Sequence, residues 1–270
     1  MKCQRIMGIL ERLAPKRLAE NWDNPGLQVG SPEQEVKKIL ICLDVSQQVV
    51  ELAVKKGADM IVSHHPVMIF KGLMNIRTDS YDGKMLQELL CHNIAVYSAH
   101  TNLDIARGGC NDILANLCGL ERVEGFVPSE ADESESMGRI GYVKEPVVVE
   151  EYARLVCKKL GAGHVRLIKG GPELVRKVAL CSGAGADLMG KAAFKGADMF
   201  ITGDMKYHEA QQAVKLGINV IDAGHFATEF PVVRGLAEYL RMETAKAKDQ
   251  VEIIEDDVSQ DFFQVINRGE

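Results

Sequence analysis

The chain repeats itself. Residues 36–65 align without gaps to residues 175–204, an offset of 139, and 9 of the 30 positions are identical. Five identities are consecutive, Lys56-Gly57-Ala58-Asp59-Met60 against Lys195-Gly196-Ala197-Asp198-Met199. A second pairing, at an offset of 125, sets His100-Thr101-Asn102-Leu103-Asp104 against His225-Phe226-Ala227-Thr228-Glu229. Recurrence in the same order and at nearly the same spacing marks each copy as one structural unit. The offset falls by 14, so the first half carries an extra segment, placed around Val67–Asp82. At 270 residues there is room for about two domains of ordinary size. The repeat divides the chain into a first lobe, residues 1–125, and a second, residues 126–270, with terminal segments free to cross from one to the other.

Each copy reads as strand, helix, strand. The apolar run Lys38–Leu43 is followed by a helical stretch from Ser46 to Lys56 and a second apolar run, Met60–Val62. That alternation predicts an α/β protein with a largely buried sheet. Ile94–Tyr97 and Asn219–Ile221 are further strands. Ile6, Ile9, Leu10, Leu13 and Leu18 recur at helical spacing, with Pro15 breaking or kinking the pattern. Asn21–Gly30 is a turn-rich loop leading into an extended segment, and Glu130–Glu135 is an exposed loop. In the tail, Val251–Ile254 and the run Phe262–Ile266 are both strand candidates.

Composition mainly excludes. With 32 Lys+Arg against 38 Asp+Glu, the net charge of −6 removes the usual electrostatic drive toward phosphate backbones and argues against a nucleic-acid partner. Seven cysteines, an odd number with no C-x-x-C pair, argue against a disulfide framework, a zinc ribbon and a thioredoxin motif. No apolar run reaches the ~18–20 residues that span a bilayer, and charge interrupts the first 23 residues too often for a signal peptide. A cytoplasmic, reducing location is the expectation, with no membrane partner.

Four segments could carry chemistry, each at the C-terminal end of an expected strand, where α/β sheets bind ligands. The first is His64-His65-Pro66. Neighbouring side chains on a strand point to opposite faces, so both imidazoles serve one site only where the strand has ended, and Pro66 helps to end it. They are metal ligands or a pair of hydrogen-bonded loop histidines. The second and third are His100/Asp104 and His225/Glu229. Either carboxylate alone is explained by a helix N-terminus, with Thr228 as a possible cap before Pro231. Recurrence of the pair in both halves favours a divalent metal, which takes imidazole and carboxylate from several strand ends. The fourth is Gly203–His208, where Asp204 and His208 are ligands, ligand supports, proton carriers or simply the start of a helix. Gly183-Ala184-Gly185 lacks the third glycine of a dinucleotide fingerprint, Leu188 standing in its place. It reads as a tight turn whose N–H groups could cradle an anion.

Taken as a set, NWDNPGLQVG (21–30), VSHHP (62–66), SAHTNLD (98–104), GRIG (138–141), GD-x3-H (203–208) and DAGHFATE (222–229) resemble the GTP cyclohydrolase 1 type 2 homologues, also described as Nif three-like dinuclear metal-centre proteins. The chain is similar to the short form, without the domain that several members insert between their halves. The resemblance implies two closely associated, duplicated α/β lobes with mixed sheets, a metal cleft between them and assembly into a homohexameric ring. It implies two divalent ions per subunit, zinc first, with iron, manganese or nickel possible, held by His64, His65, Asp104, His225 and Glu229. His100, His208 and Asp204 would stand beside them to move protons. We read adjacent His64 and His65 as pointing apart and so as suited to two ions. The implied function is a metal-dependent hydrolase acting on a nucleotide-like substrate. The alternative is a non-enzymatic ring that stores or delivers metal or recruits protein partners.

Overall fold

The inner parallel strands of this chain are short apolar runs because both of their faces are covered. A computed structural model describes residues 1–68, 76–247 and 249–266. The chain opens with α1 (Cys3–Leu13), a 3-10 turn (Lys16–Leu18), β1 (Gly26–Val29), β2 (Lys38–Cys42), α2 (Gln47–Lys56), β3 (Met60–Ser63), α3 (Tyr81–Cys91), β4 (Ala95–Ser98) and α4 (Thr101–Ile105). It continues through α5 (Cys110–Leu117), β5 (Leu120–Pro128), β6 (Ser136–Val148), α6 (Val149–Lys159), β7 (Arg166–Ile168), β8 (Leu174–Leu180), α7 (Met189–Phe194), β9 (Met199–Thr202), α8 (Tyr207–Leu216), β10 (Asn219–Asp222) and α9 (His225–Glu229). It ends with α10 (Pro231–Lys246) and β11 (Glu252–Glu255). Two units result: Met1–Gly109 with Val232–Ser259, and Cys110–Pro231 with the chain from Gln260 onward. Among the described residues, no helix is long and apolar enough to cross a membrane.

In the first unit the strand order is β1-β4-β3-β2-β11. β4, β3, β2 and β11 run parallel, and β1 closes one edge antiparallel. Every residue of β3 and β4 is buried, as expected of parallel strands covered on both faces. α2 starts at Ser46, whose side chain accepts the Val49 N–H, and stops at Gly57, which adopts φ 65°. Leu40, Ile61 and Val96 from the sheet pack with Val49, Ala53 and Leu89 from the helices. Each Val, Leu or Ile side chain removed from water here stabilises the unit by roughly 1.5–3 kcal/mol.

The second unit has the order β5-β6-β8-β9-β10-β7, with β8, β9 and β10 parallel and the other three strands antiparallel. Alternate residues of its strands enter two separate cores. Val178, Leu180, Met199 and Ile201 belong to one, and Ala179, Phe200 and Val220 to the other. The sheet is therefore sandwiched.

The duplication is structural as well as sequential. β2 pairs with β3 through Ile39↔Met60, and β8 with β9 through Val178↔Met199, so the strand register repeats at the offset of 139. β4 and β10 follow as third parallel strands, and β1 and β7 flank them antiparallel. The shared Lys-Gly-Ala-Asp-Met has a structural cause. Asp59 Oδ2 accepts the N–H groups of Lys37 and Lys38 at 2.7 and 2.9 Å. Asp198 Oδ2 accepts those of Arg176 and Lys177, both at 2.9 Å.

Two expectations change. Phe262–Ile266 forms no strand: Phe262, Phe263 and Ile266 are exposed, and the second sheet already ends at β5 and β7. Glu229 does not lie in the first turn of the long helix. It closes the short α9, ahead of α10, and Thr228 is not its cap. The extra segment expected around Val67–Asp82 falls partly outside the described residues.

Candidate metal centre

In the first unit β3 ends at Ser63, and the next two residues keep backbone pairing with the last residue of β2 and the one after it: His64 N–H to Cys42 O at 3.2 Å, His65 N–H to Leu43 O at 2.9 Å. The Ser63 hydroxyl, 2.8 Å from Ser98 Oγ, also bonds the His65 carbonyl at 2.8 Å. Both imidazoles are thus set by a stiff corner.

Each ring is then turned by a bond at Nδ1. His64 Nδ1 lies 2.8 Å from the Ala99 carbonyl, which only accepts, so Nδ1 carries the proton. Its Nε2 faces α4, 3.6 Å from Asp104 Oδ1. His65 Nδ1 is 2.7 Å from Asp44 Oδ1, and His100 Nδ1 is 2.8 Å from Asp23 Oδ1. The three ring centroids lie 5.0, 5.3 and 5.5 Å apart, and one nitrogen of each lies within 4.8 Å of the others. His64 and His65 therefore converge rather than point apart, because the strand, and with it the alternation of faces, has already stopped.

Asp23 explains the turn-rich NWDNPGLQVG segment. Its side chain is fully buried and also accepts the Thr101 N–H at 3.0 Å and the Thr101 hydroxyl. Burial pushes its carboxyl up, but the bonds from His100 and Thr101, with the charge of His100, outweigh burial and hold it below its ordinary range. Asn24 and Gln28 from the same segment bond the carbonyl and the N–H of Met68, at 2.7 and 3.0 Å, three residues beyond His65. Asp104 is buried on α4. A carboxylate placed only to meet a helix dipole sits in water; burying one demands partners.

The second unit carries the matching parts. His225 opens α9, its Nδ1 2.7 Å from Asp204 Oδ2 and its Nε2 2.9 Å from Glu229 Oε2. An imidazole set between two carboxylates needs a proton or a cation on the Nε2 side. Glu229 is only 5% exposed. Asp222 ties the two loops together, accepting the Met205 N–H at 3.1 Å and the Gly224 N–H at 3.0 Å, with Arg166 on the same carboxylate. His208 is exposed on α8, its Nδ1 3.1 Å from Gln211 Oε1.

The Gly183-Ala184-Gly185 turn is not an anion cradle. The Gly183 N–H donates to Thr228 Oγ1 at 3.0 Å and the Gly185 N–H to Thr202 Oγ1 at 2.9 Å, so both donors are spent. Gly183 instead makes room: a Cβ there would stand 2.2 Å from Glu229 Oε1, and its φ is +62°.

The donor set suits a divalent ion on chemical grounds. Each of the four histidines has Nδ1 committed to an oxygen, the arrangement by which proteins aim Nε2 at a metal. Sequence reasoning had reached His64, His65, His100, Asp104, Asp204, His225 and Glu229. It missed Asp23, Asp44 and Asp222. Asp222 ends β10 and Asp44 follows β2 by two residues, at the strand ends where ligands bind, so both carry a sequence signal; Asp23 lies inside a turn-rich loop, which carries none.

A duplicated α/β protein with imidazole and carboxylate at corresponding strand ends is a candidate metalloprotein. The family model of Duf34/NIF3 (NGG1p interacting factor 3) matches residues 1–261, and the chain belongs to that family. A Clostridium perfringens protein called GTP cyclohydrolase 1 type 2 homolog is 35% identical over 266 residues, covering 98% of this chain and all of the relative. A Lactococcus lactis protein of the same name is 35% identical over 244 residues, 89% of this chain and 92% of the relative. Among solved structures, a Bacillus cereus protein related to NIF3 superposes with TM-score 0.93 at 27% identity, covering 98% of this chain and 99% of that one. Reduced HcgD from Methanocaldococcus jannaschii gives 0.79 at 33%, covering 95% and 98%.

Proposed function

We propose that the protein is a metal-dependent hydrolase of a nucleotide-like substrate, with two divalent ions held by His64, His65, Asp104, His225 and Glu229. The observation that carries this reading is the set of Nδ1 bonds: His64 to Ala99 O, His65 to Asp44, His100 to Asp23 and His225 to Asp204. The name borne by the relatives supports the substrate class. Imidazole with carboxylate admits zinc first, then iron, manganese or nickel.

Bound divalent ions supply Lewis acidity, polarising an electrophile and lowering the pKa of water from 15.7 to about 7. The chain's own residues do the rest. His100 carries the proton, and because Asp23 occupies Nδ1 the exchange takes place at Nε2. Asp204 orients His225, and exposed His208 is the second proton carrier. The subunits assemble as a homohexameric ring in this reading, which light scattering checks.

The test is metal analysis of protein purified without added metal, followed by turnover of GTP, other nucleotides and phosphoesters with each candidate ion. His64→Ala and Glu229→Ala should lose both metal and turnover. Turnover surviving in metal-free protein would overturn the reading. Metal that exchanges readily without any turnover would replace it with storage or delivery.

A further inference from the structure

Trp22 is the one tryptophan of the chain, and half of it (50%) is exposed. It occupies the turn that holds His100. Its ring meets that imidazole edge-on, with centroids 5.7 Å and planes 76° apart, and His100 stands 5.5 Å from the ring of His65. The turn is stiff. The Asp23 N–H bonds Glu20 O at 2.9 Å, the Glu20 N–H bonds Thr101 Oγ1 at 3.0 Å, and the buried Asp23 carboxylate accepts the Thr101 N–H. The indole is not part of the core around β2, β3 and β4. A side chain this large normally earns its place by burial; this one is held rigidly at the rim of a cluster of candidate ligands.

We propose that Trp22 is the aromatic platform on which a planar heteroaromatic ring of the substrate stacks, beside His65 and His100. The proposal rests on the nucleotide reading above and deepens it: the ring system, rather than the phosphates, is what this unit recognises. An indole face accepts any base, so purines and pyrimidines both bind, and the platform costs little conformational entropy because its turn is already fixed.

Because the chain has a single tryptophan, its fluorescence reports on this ring alone. Guanosine, adenosine, cytidine and ribose 5-phosphate are titrated into metal-loaded and metal-free protein. The nucleosides should quench the emission saturably; ribose 5-phosphate should not. By calorimetry Trp22→Leu should bind guanosine about 5- to 100-fold more weakly, and Trp22→Phe should recover most of the loss. Zinc titrated alone should bind Trp22→Leu as it binds the parent. Unchanged guanosine affinity in Trp22→Leu, quenching by ribose 5-phosphate, or no nucleoside binding by protein that holds its metal would overturn the platform. Protein that takes up no metal sinks the hydrolase reading, while quenching in that metal-free protein still decides the platform.

Discussion

His225 Nδ1 lies 2.7 Å from Asp204 Oδ2, and Asp204 holds its carboxylate there from a left-handed backbone with φ 56°. For an L-residue that conformation costs on the order of 1–2 kcal/mol, although Asp tolerates it better than most. Glycine would occupy the same turn without strain. Local strain at a residue whose side chain aims a candidate ligand is the pattern expected where function overrides stability.

Replacing Asp204 therefore separates the two properties. Asp204→Gly should leave the metal-free protein as stable as the parent, or up to about 1 kcal/mol more stable, since strain is relieved and a half-exposed ion pair contributes little. The same change should weaken metal binding by about 10- to 100-fold, the usual consequence of removing an outer partner of a ligating histidine. Thermal unfolding with chelator and metal titration measure the two halves. A large loss of stability without loss of metal would reverse the assignment.

Gly183 and Gly57 make a second contrast. Both have positive φ, 62° and 65°. A Cβ at Gly57 meets nothing within 4 Å, whereas one at Gly183 collides with Glu229 Oε1 at 2.2 Å. Gly57→Ala should cost about 1 kcal/mol and leave metal binding intact. Gly183→Ala bears the same strain and must also displace a buried carboxylate, so it should cost about 2–4 kcal/mol and abolish metal uptake. Equal metal affinity in the two variants would show that Glu229 is not a ligand.

The repeat was legible because its clearest signal is structural. Lys-Gly-Ala-Asp-Met recurs where a helix must stop and a carboxylate must pin the neighbouring strand, which both halves require alike. The site residues were legible by place rather than by identity: His65 and Asp204 occupy the same repeat position yet differ, one a candidate ligand and the other the support of one. Supports such as Asp23 were out of reach, because the bond to His100 joins residues 77 apart and neither helical nor strand periodicity records such a contact. The place of Glu229 was half legible: Pro231 marks the first residue of α10, but nothing in HFATE announces that these five residues form a short helix of their own.

That structural role predicts matched behaviour at the two pins. Asp59→Ala and Asp198→Ala each free two N–H groups bonded to a carboxylate, and each should destabilise its unit by roughly 1.5–3 kcal/mol. Metal content should not change in either, because both carboxylates lie before their strands and the candidate ligands lie after them. Urea denaturation and metal analysis test the pair, and metal loss in either variant would show that the two strand ends are coupled.

Asp23 makes the last prediction, a dependence on pH. Burial raises its carboxyl, but hydrogen bonds from His100 and Thr101 and the His100 charge lower it more, so it titrates below its ordinary 3.8. A group depressed in this way stabilises the folded state above the unfolded-chain pKa and loses that contribution as pH falls through the folded-state value. With metal removed, the stability advantage of the parent over Asp23→Asn should be complete above about pH 4 and shrink steadily below it. Urea midpoints at a series of acidic pH values measure the difference. An advantage that stays constant or grows toward low pH would mean that the folded state does not hold the Asp23 carboxyl below its ordinary value.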